Sequence, residues 1–149
     1  MRDNWPPFWL HSIWLVFGLQ GVLMWVISLP LQLAEETTGA WPHWVTASLV
    51  LGGVAWEATA DFQLARFKAD PAHKGQVCAH GLWRYSRHPN YFGDFVVWWA
   101  LFGLAWSSGA PWWTVCSPVI MSVLLMKVSG VSLLEPHLRE SRPAYADYA

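Results

Sequence analysis

Four long apolar stretches limit how this chain can fold more than any other feature of its sequence. They cover residues 8–29, 41–60, 91–106 and 111–126. A helix needs about 20 mostly apolar residues to cross a bilayer, and about 17 can suffice. The pattern therefore predicts an all-α fold. We expect a polytopic membrane helix bundle of about four transmembrane helices, with a structured cytoplasmic loop and an amphipathic C-terminal segment. It forms a single membrane domain over residues 1–149.

Proline residues mark the predicted helix boundaries. Pro30 closes the first stretch, and Pro89 suits the first turn of the helix that contains the third. Pro118 is expected to kink the fourth helix, because proline interrupts the hydrogen bonds of a helix interior. The second stretch continues as a helix through Lys68. The prolines and glycines that follow predict a structured loop within residues 66–88.

The charged residues are few and unevenly placed. Only 13% of the residues are charged, against about a quarter in ordinary soluble domains. The segment 66–88 is basic, whereas the connection 34–39 is acidic and 107–110 is uncharged. Cytoplasmic loops of membrane proteins retain lysine and arginine. The asymmetry predicts that both termini and the 66–88 loop are cytoplasmic, with the lipid bilayer as partner. The net charge of -1 gives no reason to expect nucleic-acid binding.

The two cysteines lie in different environments. Cys78 belongs to the basic loop and Cys116 to an apolar stretch. A disulfide between these environments is unfavourable in a reducing compartment. We expect Cys78 to be an exposed thiol and Cys116 to be a small apolar side chain.

Two carboxylates and a lysine share one face of the second predicted helix. Glu57 and Asp61 are four residues apart, and Lys68 continues the same face. Ionisable groups at membrane depth are costly and usually face a cavity or a partner. These residues either form part of a polar pocket or end a helix whose charges are simply solvated.

The start of the third helix carries a second polar group. Asn90 and Tyr91 offer an amide and a phenol to a planar ligand head group. Asp94, one turn later, either orients a bound cofactor or pairs with an arginine of the loop as a structural salt bridge. His88 is a helix cap, a base or a structural residue.

The cations suit phosphate binding, since arginine makes bidentate contacts and lysine a point-charge contact. The candidates are Arg66, Lys68, Arg84, Arg87, Arg139 and Arg142. The sequence contains no G-x-G-x-x-G fingerprint, which excludes a Rossmann site. It contains no H-E-x-x-H or C-x-x-C pair either, so no metal site is expected. Together these residues predict a cytoplasmic pocket for a large anionic cofactor.

Three sequence blocks resemble a known family. They are Glu57-x-x-x-Asp61-x-Gln63, the run from Gly81 through Arg-Tyr-Ser-Arg-His-Pro-Asn-Tyr to Asp94, and the tail Ser129-Gly-x-x-Leu-Leu-Glu-x-x-Leu138 with Ser-Arg-Pro-x-Tyr145. They look like a bacterial membrane family related to the steroid 5-alpha-reductase C-terminal domain. A looser form of the central block also marks isoprenylcysteine carboxyl methyltransferases, which share the helical core.

The resemblance implies an NADPH-dependent reductase in the bacterial inner membrane. Such an enzyme reduces a conjugated carbon–carbon double bond in a lipophilic, steroid- or polyprenyl-like substrate. Asp61 and Asn90 match residues that contact the cofactor in the reductases. Glu57, Lys68 and Asp94 occupy positions where the reductases usually carry other side chains. The implied cofactor site comprises Glu57, Asp61, Arg66, Lys68, Arg84, Arg87, His88, Asn90, Tyr91, Asp94, Arg139 and Arg142. Tyr91 is the candidate catalytic residue.

Alternative functions follow from the same resemblance. In the reductases, the acid and phenol that polarise the substrate carbonyl lie on helices that precede this region. We therefore expect the chain to be the cofactor-binding portion of a longer enzyme or a shortened relative. One alternative is an S-adenosylmethionine-dependent methyltransferase of the isoprenylcysteine type. Another is a non-catalytic truncated membrane bundle that binds a lipid or a partner helix.

Overall fold

The computed structural model describes residues 12–35 and 41–128, which form only helices and connecting turns. The α-helices in these ranges are α1 Gly18–Ile27, α2 Leu29–Gln32, α3 Trp41–Ala69, α4 Pro89–Ser107 and α5 Cys116–Val123. Short 3-10 turns occupy Pro71–His73, Gly81–Arg84 and Trp112–Val115. A π-helical turn, Ser12–Phe17, precedes α1, and another, Leu124–Val128, follows α5. The described residues thus agree with the all-helical part of the prediction.

The predicted membrane bundle is wrong. In the ranges 12–35 and 41–128, no helix combines the length and the hydropathy needed to cross a bilayer. The first and fourth apolar stretches are each divided among shorter helices of different type. Helix α3 is long but carries Glu57 and Asp61, and α4 begins with Asn90 and Asp94. The predicted amphipathic C-terminal segment lies outside the described residues.

The proline predictions had mixed outcomes. Helix α4 begins at Pro89, and α3 continues through Lys68 to Ala69, as predicted. Pro30 does not close the first stretch, because α1 already ends at Ile27 and Pro30 lies in the first turn of α2. Pro118 also lies in a first turn, that of α5. Proline is tolerated there, and the chain changes from a 3-10 to an α-helical turn at Cys116, before the proline.

Helices α3 and α4 pack together over a close backbone crossing. A Cβ atom added to Gly93 would lie 2.7 Å from the Gly53 carbonyl oxygen and 2.9 Å from the Glu57 backbone nitrogen. A Cβ atom added to Gly53 would lie 2.9 Å from the Gly93 carbonyl oxygen. Both glycines are buried. The crossing sets how closely the polar residues of the two helices approach each other.

A small core fixes the loop between these helices against α3. Phe67, Cys78 and Trp83 form this core. The Trp83 indole nitrogen donates to the Ala60 carbonyl oxygen at 2.9 Å. The Gln63 side-chain oxygen accepts a hydrogen bond from the Leu82 backbone nitrogen at 2.8 Å. These contacts hold the loop that leads into α4.

Cys78 corrects one prediction. Its side chain is only 3% exposed, so it is not the exposed thiol that the basic loop predicted. The thiol packs between Phe67 and Trp83, and burial raises its pKa above the ordinary value. Cys116 is half-buried, and both cysteines are free thiols.

Hydrogen bonds also join the remaining helices. The Ser117 hydroxyl donates to the Ile27 carbonyl and so connects α5 to the end of α1. The Trp99 indole nitrogen donates to the Ser122 hydroxyl at 3.3 Å and connects α4 to α5. At the far end of α4, the Glu35 backbone nitrogen donates to the Ser108 carbonyl oxygen at 2.7 Å. Asn90 lies at the opposite end of α4 from this contact.

Candidate functional site

Four predicted site residues meet where α3 and the first turns of α4 face each other. We call Glu57, Asp61, Asn90 and Asp94 the amide–carboxylate cluster. The Asn90 side-chain nitrogen donates to an Asp61 carboxylate oxygen at 3.1 Å. Glu57 lies against Gly93, one residue before Asp94. The side chains of Asp61 and Asn90, which are 29 residues apart in the sequence, therefore contact each other directly.

The carboxamide oxygen of Asn90 has an unusual environment. It is buried and accepts no hydrogen bond from any described residue. A buried acceptor without a donor is costly, and each such group in a protein calls for an explanation. Because the Asn90 nitrogen donates to Asp61, the oxygen is the part of this carboxamide whose hydrogen-bonding capacity is left unused by the described residues.

Two carboxyl groups of the cluster have perturbed acidities. Burial raises the pKa of Glu57 above its ordinary value, and the negative charges of Asp94 and Asp61 raise it further. Burial also raises the pKa of Asp94, while a hydrogen bond from the Trp98 side chain partly offsets the rise. Carboxyl groups shifted by burial and by like charges are typical of functional sites.

Three other predicted residues line a separate cavity on the α5 side of α4. Arg87, His88 and Tyr91 contribute to this cavity, which has a volume of about 390 Å³. We call it the α4–α5 cavity. The His88 and Tyr91 rings stack in parallel, with centroids 5.2 Å apart. Asn90 and Tyr91 are consecutive, yet they face different neighbours, because successive helical residues point about 100° apart.

Two aromatic rings join the start of α4 to α3. Phe92 lines the cavity, and its ring meets the ring of Trp56 edge-on at 5.8 Å. The Trp56 indole nitrogen donates to the Pro89 carbonyl oxygen at 3.0 Å. The first turn of α4 is therefore anchored to α3 beside the amide–carboxylate cluster.

The remaining predicted cations do not converge on the cluster. Lys68 lines another cavity of about 290 Å³, together with Lys74 and His73. Arg66 and Arg84 are exposed, and the Arg84 guanidinium lies 5.8 Å from the centre of the Tyr85 ring. The other two candidates, Arg139 and Arg142, lie outside the described residues. Phosphate binding by these cations stays a prediction.

Comparison with known proteins identifies the family. A family model described as "Protein of unknown function (DUF1295)" matches residues 1–149. The chain belongs to this family. No curated protein and no solved structure shows a significant match to this DUF1295 chain.

Sequence reasoning missed two groups of residues in this DUF1295 chain. The first is the Gly53–Gly93 crossing, for which the only signal was the presence of glycine inside helical stretches. The second is the apolar wall of the α4–α5 cavity, formed by residues such as Phe95, Leu125 and Met126. These residues are ordinary helix-face side chains in sequence, so no local pattern distinguishes them.

Proposed function

We propose that this chain holds the nicotinamide end of NADPH in a reductase that acts on a conjugated carbon–carbon double bond of a lipophilic substrate. The observation that carries the proposal is the buried carboxamide oxygen of Asn90, which accepts no hydrogen bond from the described residues. A nicotinamide carboxamide carries an N–H donor that matches this acceptor. The resemblance to the steroid 5-alpha-reductase C-terminal domain supports the same cofactor.

The amide–carboxylate cluster fits such a group in both hydrogen bonding and charge. A bound reduced nicotinamide would supply the hydride for the reduction. Asp61 fixes the orientation of Asn90, so that the amide oxygen stays available to a ligand donor. The carboxyl groups of Glu57 and Asp94 are positioned to stabilise positive charge at the cluster, as fixed charges do in enzyme sites.

The basic residues beyond the cluster suit the phosphates of the cofactor. Lys68 follows Asp61 by seven residues on α3, which corresponds to roughly 10 Å along a helix. A dinucleotide is long enough to extend from the cluster toward this end of α3. Arg66 and Arg84, exposed near the same loop, are further phosphate contacts in this proposal.

Equilibrium binding of NADPH to the purified chain tests the proposal. We expect saturable binding in the micromolar range, followed by the fluorescence of the reduced nicotinamide, and no thermal stabilisation by S-adenosylhomocysteine. Stabilisation by S-adenosylhomocysteine without NADPH binding would instead support a methyltransferase. The absence of binding by either compound would favour a non-catalytic protein.

A further inference from the structure

The α4–α5 cavity is lined mainly by aromatic rings and apolar side chains. Helix α4 contributes Tyr91, Phe92 and Phe95, and the turn after α5 contributes Leu125 and Met126. The volume of about 390 Å³ lies in the range of small-molecule sites, which are mostly apolar and carry a few polar groups that fix the ligand. The cavity therefore has the size and the lining of a site for an apolar compound.

Most polar side chains at the cavity are already engaged within the protein. The Ser86 hydroxyl accepts a hydrogen bond from the His88 backbone nitrogen at 3.2 Å. The Ser122 hydroxyl both donates and accepts a hydrogen bond. Arg87 also has an interaction partner, so its charge is not assigned to a ligand. These three side chains are therefore not the groups that would recognise a ligand.

The hydroxyl of Tyr91 differs from these groups. It forms no hydrogen bond with any residue that the structure describes. The Tyr91 ring itself is held by stacking on His88, with ring centroids 5.2 Å apart. A phenol both donates and accepts hydrogen bonds. The Tyr91 hydroxyl is thus available to a ligand that carries a carbonyl oxygen.

Part of the cavity wall has an irregular backbone. Leu125 and Met126 belong to the π-helical turn Leu124–Val128. Such turns are rare and occur frequently at functional sites. The turn supports a ligand site in this cavity independently of the Tyr91 hydroxyl.

We propose that the α4–α5 cavity binds an uncharged quinone ring, one carbonyl oxygen of which accepts a hydrogen bond from the Tyr91 hydroxyl. The face of an aromatic side chain is electron-rich, whereas the two carbonyl groups of a quinone make its ring electron-poor. A quinone therefore packs favourably against Phe92 and Phe95, and its apolar substituents lie along Leu125 and Met126. The proposal concerns this cavity alone and does not depend on NADPH.

Equilibrium dialysis with 2,3-dimethyl-1,4-naphthoquinone tests the proposal. Both open positions of its quinone ring are methylated, so the probe does not add to free thiols such as Cys116. We expect saturable binding at one site. The hydrocarbon 2,3-dimethylnaphthalene has the same rings and methyl groups but no carbonyl oxygen, and it should bind about fivefold more weakly because it accepts no hydrogen bond. Equal affinities for the two compounds would overturn the proposal.

Tyr91→Phe removes the hydroxyl and keeps the ring. The affinity for the quinone should fall about fivefold, whereas the affinity for the hydrocarbon should stay unchanged. A purely structural role of Tyr91 would instead lower both affinities. Tyr85→Phe is the matched control and should change neither, since Tyr85 is 78% exposed and lies outside the cavity. A preference for the quinone that persists in Tyr91→Phe would refute the contact with this hydroxyl.

Two further variants locate the bound ring. Leu125→Trp fills the apolar part of the cavity and should abolish saturable binding of the quinone. Met126→Trp, at a half-exposed position, repeats the test should Leu125→Trp fail to fold. Undiminished binding in the variants that fold would overturn the proposal. Binding that never saturates would overturn it as well, because it would indicate adsorption to exposed apolar side chains such as Trp14 and Leu19.

Discussion

Replacing Gly93 by alanine is expected to lower the free energy of unfolding by about 2 kcal/mol. The added Cβ atom would lie 2.7 Å from the Gly53 carbonyl oxygen and 2.9 Å from the Glu57 backbone nitrogen. Backbone atoms of a helix cannot move aside singly, so α3 and α4 must separate along the crossing. Because Asn90 and Asp61 face each other beside this crossing, NADPH binding should weaken as well.

Gly103→Ala is the matched control on the same helix. A Cβ atom at Gly103 meets nothing within 4 Å, and alanine favours a helix by up to about 1 kcal/mol over glycine. This variant should be neutral or stabilising. Urea unfolding followed by circular dichroism under identical conditions compares the two. Equal midpoints for Gly93→Ala and Gly103→Ala would contradict the close crossing.

Asp61→Ala is expected to weaken NADPH binding at least tenfold. It removes the carboxylate oxygen that accepts from Asn90 at 3.1 Å. The Asn90 carboxamide then loses the contact that fixes its orientation. The loss of one hydrogen bond to a charged group corresponds to about 1.5–3 kcal/mol, and about 1.4 kcal/mol is a tenfold change in affinity. Fluorescence titration with NADPH measures the change.

Two further variants give this prediction its controls. Asp61→Asn keeps an oxygen acceptor for Asn90 and removes only the charge, so its effect should be smaller than that of Asp61→Ala. Glu35→Ala removes an acid near Ser108, at the far end of α4 from Asn90, and should leave NADPH affinity unchanged. If the Asp61→Ala protein binds NADPH as tightly as the wild type, Asp61 does not contribute to the NADPH site.

The sequence predicted the local features of the site better than the long-range ones. The start of α4 at Pro89 and the extent of α3 beyond Lys68 follow from proline chemistry and from continuous helical residues. Since these two helix ends flank one structured loop, Asp61 and Asn90 could be expected to meet. The loop is held by the Trp83 and Gln63 hydrogen bonds, which no local pattern specifies.

The features that the sequence did not predict correctly have identifiable physical causes. An apolar stretch does not reveal where a helix is interrupted, and the breaks at Ser28 and Cys116 divide two stretches that the sequence treats as continuous. The rotation of α4 about its axis is also invisible in sequence. This rotation directs Asn90 toward Asp61 but Tyr91 toward the α4–α5 cavity. The adjacency of Asn90 and Tyr91 in the sequence had instead suggested that both contact one ligand. The Gly53–Gly93 contact depends on that same rotation.

The most direct test of the central claim compares NADPH with its 3-acetylpyridine analogue, in which a methyl group replaces the amino group of the nicotinamide carboxamide. The wild-type protein should bind NADPH about tenfold more tightly, because the analogue leaves the buried Asn90 oxygen without a donor. In Asn90→Leu, which lacks that oxygen, the two affinities should be nearly equal. Equal affinities in the wild-type protein, or a preference for NADPH that persists in Asn90→Leu, would contradict the assignment of Asn90 to the nicotinamide.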